Sequence, residues 1–153
     1  DLRLLMAALK INNELERIGD IAVNLAERVE PLRAYQDFVR TTYLKKMADG
    51  AREMVKSAID SFVNNDPALA RKVLESDDFI DNLDRETFNL MVKTMKESPE
   101  FVEPAAHVMI LSRHIERLAD HATNISEDVI FLVNARIIKH HADTSADGGV
   151  IRT

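Results

Sequence analysis

Carboxylates four residues apart include three pairs set in apolar helical stripes, Glu16 and Asp20, Asp77 and Asp81, and Glu116 and Asp120. At 100° per residue the members of each pair lie one turn apart on one helix face. Like charges so placed repel, by roughly a few tenths of a kcal/mol in solvent and by more when partly buried. A bound cation reverses that sign, and all-oxygen ligands suit magnesium, calcium, manganese or iron. The flanks of the acids favour the cation. Ala105 and Met109 precede Glu116 and Asp120 on their line, and Phe131 and Ile138 follow Glu127. Ala70 and Leu74 likewise lead into Asp77, Asp81 and Asp84, with Phe88, Met91 and Met95 beyond. Leu2, Leu5 and Leu9 precede Glu16, Asp20 and Glu27. Acids that interrupt a stripe otherwise suited to burial need a partner.

The competing reading is a solvated face in which Arg17, Arg117 and nearby lysines partner these acids. An isolated ExxxD is usually that. Here the solvated face has to account for two ExxxD copies, a DxxxD and their apolar flanks together, and the metal reading is preferred. His107, His114 and His121 recur every seven residues, but their line lies roughly opposite Glu116 and Asp120, so one ion cannot take both sets. These histidines are read as ordinary residues at the edge of a helix seam.

The first and third pairs belong to a duplication. At an offset of 100 residues, Glu16, Arg17, Asp20, Ala22, Asn24, Glu27 and Val29 are identical to Glu116, Arg117, Asp120, Ala122, Asn124, Glu127 and Val129. The repeat preserves a polar and an apolar face at once.

The elements that carry the acids are long helices. Leu4, Ala8, Ile11, Leu15, Ile18, Ala22, Leu25 and Val29 alternate by four and three, the seam of a packed helix from about Leu2 to Val29. Pro31 interrupts it. A second helix is expected from roughly Tyr35 to Val63, ending at NNDP. Asp66 as cap and Pro67 in the first turn open a third, to about Lys96. After SPEFVEP a fourth runs to about Lys139, with Val108, Leu111, Ile115, Leu118, Ala122, Ile125, Val129 and Leu132 as its seam. The expected division is a first helix over residues 1–30, a complete up-down-up three-helix bundle over 35–139, and a flexible tail over 140–153. The duplication makes the first helix the last of an earlier, incomplete bundle. About two helices are then expected to precede this chain, or a second copy covers the face.

Composition supports an all-α fold. Four glycines and four prolines in 153 residues suit few long helices rather than many short strands. The formal charge of −6 is spread among mixed acids and bases, with no basic stripe for nucleic acid. Zero cysteines exclude disulfides and thiolate zinc sites. No apolar run approaches the roughly 18 residues of a membrane-spanning helix.

DLRLLMAALKINNELERIGDIAVNLAERV and RHIERLADHATNISEDVIFLV closely resemble the two signature helices of the PhoU family of phosphate-signalling regulators, and SDDFIDNLDRE resembles its DxxxD helix. The resemblance covers nearly the whole chain to about His140. It implies tandem three-helix bundles, each binding a multinuclear cluster of iron or another divalent metal, iron, manganese, magnesium or zinc. By position the ligands would be Glu16 and Asp20 for the first bundle, and Asp77, Asp81, Glu116 and Asp120 for the second, with Asn24 and Asn124 as auxiliaries. It further implies a cytoplasmic homo-oligomer, peripheral to the membrane. Its partners would be the ATPase of a phosphate ABC transporter and a phosphate-sensing histidine kinase, which it holds down when phosphate is plentiful. The first site lacks its DxxxD half here, and Gly19 is matched by Ala119, a mild change.

A regulatory adaptor, not an enzyme, is the expected function. One alternative is the regulatory domain of a sodium/phosphate symporter. A carboxylate-bridged di-metal enzyme would need Glu-x-x-His on two helices, and no ExxH occurs in the chain. A metallophosphatase lacks its loop-borne His and Asn ligands. A purely structural bundle would leave the acids dispensable.

Overall fold

In the computed structural model, which describes residues 2–146 and side chains as far as residue 134, the described chain is helix and turn without strands. The helices are α1 (Leu2–Val29), α2 (Gln36–Arg40), α3 (Leu44–Asn64), α4 (Pro67–Glu97) and α5 (Val102–Ala146). Two 3-10 turns, Glu30–Tyr35 and Pro99–Phe101, carry Pro31 and Pro99 between them. No helix among the described residues is long and apolar enough to cross a membrane.

Local chemistry sets the boundaries. Asp66 caps α4, its Oδ1 accepting from the amides of Ala68 at 2.9 Å and Leu69 at 3.0 Å, and Pro67 fills the first turn, where its missing N–H costs nothing. Asn65 ends α3 in the left-handed region at φ 51°, and the Asp66 amide returns to the Ser61 carbonyl at 2.8 Å.

The single second helix expected from Tyr35 to Val63 is two. Thr41 and Thr42 turn the chain between α2 and α3, each sending both its amide and its hydroxyl to the carbonyl three residues back, on Phe38 and Val39. Hydroxyls that satisfy nearby carbonyls offer the backbone an alternative to the next helical turn. Phe101 then packs on Phe38, with ring centroids 4.9 Å apart, and pins the short α2 to the turn before α5.

α3, α4 and α5 form the expected three-helix bundle, each packed on the other two. Met47, Ala58, Val73, Ile80, Met91, Val108, Ile125 and Val129 fill its core at 2% exposure or less. Ala105, Ala119 and Ala122 are fully buried on α5, where small side chains let neighbouring helices approach closely.

α1 packs on α5, so it folds back on its own chain. Its seam is also shifted from the expected one. Ala7, Ile11 and Ile21 are buried and Glu14, Ile18 and Leu25 partly so. Leu4, Leu15 and Val29 of the expected seam are exposed. Both stripes alternate by four and three, and they share Ile11, Ile18 and Leu25; periodicity alone does not choose between them.

α5 continues as helix to Ala146, past His140, where the tail was expected to begin. HHADTSA contains neither Gly nor Pro to stop it. Residues 147–153 of that expected tail lie outside the described residues.

Candidate metal centre

α4 and α5 set Asp77, Asp81 and Asp84 of one helix against Glu116 and Asp120 of the other. Glu116 is 8% exposed; the three α4 aspartates are half-buried and Asp120 is exposed. Burial, then Asp120, with Asp84 and Asp81 adding and Arg113 opposing, pushes the Glu116 carboxyl up to about 7. Burial, then Asp81, Asp120 and Asp78, raises Asp77 as well. Asp77 Oδ1 and Glu116 Oε2 are buried with no hydrogen-bond partner. An unpartnered buried oxygen in a native core points to an unfilled chemical role.

Among the described residues, one cation forms ion pairs with the cluster. Arg113 Nη1 stands 2.9 Å from Glu116 Oε1 and 3.6 Å from Asp84 Oδ2. Its place one turn before Glu116 was legible in the sequence, whereas Arg17 and Arg117, the bases first considered, do not fill the role; Arg17 lies 3.9 Å from Glu14 instead. Ser112, also missed, is buried and donates to Asp84 Oδ1 at 2.5 Å, which fixes that carboxylate.

The remaining predicted residues sit elsewhere. Glu16 and Asp20 are exposed, about 170° around α1 from its Ile11–Ile18 seam, and are not brought to the α4–α5 acids. Asn24 and Asn124 are exposed, and Asn124 donates to Glu14 Oε2 at 3.1 Å. Of the histidines, His121 meets α1, its Nδ1 2.6 Å from Glu14 Oε2, and His107 and His114 each have a buried Nδ1 without a partner. Glu14 is an acid at a seam position between Ile11 and Ile18, a signal that the sequence contained.

The donor set fits a hard or borderline cation: five carboxylates, two with an orphaned buried oxygen, and one opposing guanidinium. In their present rotamers no three of the described acids and histidines close on a common point. Taking up an ion therefore requires these side chains to turn.

Comparison with known proteins places this geometry in a family. The PhoU domain matches residues 1–29 and 44–129. The phosphate-specific transport system accessory protein PhoU homolog of Xylella fastidiosa (strain 9a5c) is 34% identical over 134 residues, 88% of this chain and 57% of its own. The Aquifex aeolicus protein of the same name is 37% identical over 140 residues, 92% of this chain and 63% of its own. This chain thus spans about three-fifths of the length of those relatives. The crystal structure of PhoU from Pseudomonas aeruginosa superposes with a TM-score of 0.78 at 32% identity, over 88% of this chain and 65% of that one. The matched segments include both ExxxD helices and the DxxxD helix that faces the second of them, and the chain belongs to the PhoU family.

Proposed function

We propose that the protein is a metal-binding regulator of phosphate uptake. It acts on the cytoplasmic side as an adaptor between a phosphate transporter's ATPase and a phosphate-sensing histidine kinase, and holds the kinase response down when phosphate is plentiful. One observation carries the metal part: Asp77 Oδ1 and Glu116 Oε2 are buried without partners between two acid-bearing helices. The transport part rests on relatives named as phosphate-specific transport system accessory proteins, which favours an adaptor over a symporter domain.

Asp77, Asp81, Glu116 and Asp120 would hold the ion, with Glu16 and Asp20 contributing to a separate site on α1. A bound cation supplies the positive charge that lets α4 and α5 keep their acids ionised side by side. Adaptor activity is then a difference in binding free energy between partner states rather than turnover.

Elemental analysis of the purified protein, with melting curves before and after chelation, tests the metal part. A ligand bound only by the native state stabilises it, so chelation should lower Tm and added manganese or iron should restore it. An unchanged curve throughout sinks the metal reading. Deleting the gene should leave the phosphate-starvation response on in high phosphate, and pull-downs should recover the transporter ATPase or the kinase. A response that stays repressed, with recovery of a sodium/phosphate symporter instead, replaces the adaptor.

A further inference from the structure

We propose that Arg113 is a built-in counter-cation of the acidic seam that competes with metal for Glu116, so that metal uptake releases its guanidinium from the α4–α5 interface. The proposal rests on the metal-binding reading above.

Arg113 reaches Glu116 within its own helix and Asp84 across the interface with the same nitrogen, Nη1. The ion pairs described place no other cation on Asp77, Asp81, Asp84, Glu116 or Asp120. One guanidinium thus faces five carboxylates. It holds one end of the seam and leaves Asp77 Oδ1 and Glu116 Oε2 without partners at the other. A second cation drawn to those oxygens would share Glu116 with Arg113, and like charges that share one carboxylate repel.

The guanidinium has somewhere to go. Its side chain is 64% exposed, against 11% for Glu116, and it lines an open pocket of about 260 Å³ with Phe88, Met109 and Ile110. Its stem can stay on that apolar lip while its head turns to water. Phe88 is itself 53% exposed. Occupancy of the seam would thereby change the charge and shape of an apolar surface beside it.

The duplication argues that the arginine belongs to this site rather than to the helix. At the equivalent place before Glu16 and Asp20 the chain has Asn13. The signature helix therefore accommodates a neutral residue there, and among the described residues the ion pairs of α1 run through Lys10 and Glu14 rather than Glu16 or Asp20.

Calorimetric titration of the full chain with Mn²⁺ after chelation, alongside melting of the metal-free protein, tests the competition in Arg113→Met and in Arg113→Asn, which copies the α1 sequence. Loss of a competing charge should tighten the Mn²⁺ Kd on the order of tenfold while the metal-free Tm falls. Arg113→Lys, which keeps the charge, should stay near the parent in both. A merely structural arginine would move both measurements the same way, weaker metal binding with lower Tm, and that result overturns the proposal, as does an unchanged Kd in both neutral variants. A parent protein that binds no Mn²⁺ overturns the metal reading itself and this proposal with it.

Discussion

Glu116 concentrates the energetic conflict of the molecule in one side chain. Its folded carboxyl titrates at about 7, against an ordinary 4.5, so between those values the native state holds a proton that the unfolded chain has lost. Without metal, stability should fall as pH rises from about 4.5 to about 7. Glu116→Gln removes the charge and keeps the shape. Its metal-free Tm at pH 7.5 should rise by several degrees, roughly 2–4 °C per kcal/mol recovered, and the slope across that pH window should flatten. Melting curves of both proteins in chelator at several pH values check this. A Tm below the parent's at pH 7.5 would mean that the Arg113 pair outweighs the burial and crowding of the acid.

At the scale of elements, α1 decides which of two overlapping stripes is buried. Ile11 is 4% exposed, whereas Leu15, one turn on, is 36% exposed and Leu4 39%. Ile11→Ala should therefore cost about 2–4 kcal/mol. Leu4→Ala and Leu15→Ala should cost far less, within about 0.5–1 kcal/mol. Urea unfolding of the three variants distinguishes the observed seam from the one that includes Leu4 and Leu15. The exposed stripe has its counterpart on α5, where Pro104, Ile115, Ala122 and Val129, offset by 100 residues from Leu4, Leu15, Ala22 and Val29, lie in the bundle. The same helix face is core in one half of the duplication and surface in the other.

Over the whole molecule, two interfaces meet on α5 and respond oppositely to acid. Protonating Glu116 relieves the α4–α5 seam as pH falls. The α1–α5 seam has the reverse sign. Burial opposes ionisation of Glu14, but hydrogen bonds from His121 and Asn124 and the His121 and Arg17 charges outweigh it and hold its carboxyl below 4.5. Burial, then Arg28 and Arg117, holds His114 below its ordinary 6.5. A depressed folded pKa contributes stability above the ordinary value that is lost as pH falls through the folded one. α1 should thus loosen from α5 as pH drops below about 6.5, and further below about 4.5, while the three-helix bundle persists. Because α1 packs mainly on α5, it should open as a unit of lower free energy than α3–α5. Hydrogen exchange across pH 4 to 7 checks this: α1 amides losing protection before those of α4 supports it, and simultaneous loss refutes it.

The sequence by itself determined the all-helical character, the Asp66 and Pro67 start of α4, the bundle's core stripe on α5 and the pairing of acids at helical spacing, because each depends on contacts within about a turn of chain. It also carried the duplication that joins α1 to α5, and the signature residues of the family. Tertiary structure alone decided that α1 buries Ile21 rather than Leu15, and that Glu14 meets His121. It likewise brought Arg113 to Asp84 across the α4–α5 interface and gave that carboxylate a hydroxyl donor in Ser112. Those outcomes depend on which faces of two helices meet, and a seven-residue repeat allows more than one answer until the partner helix is in place.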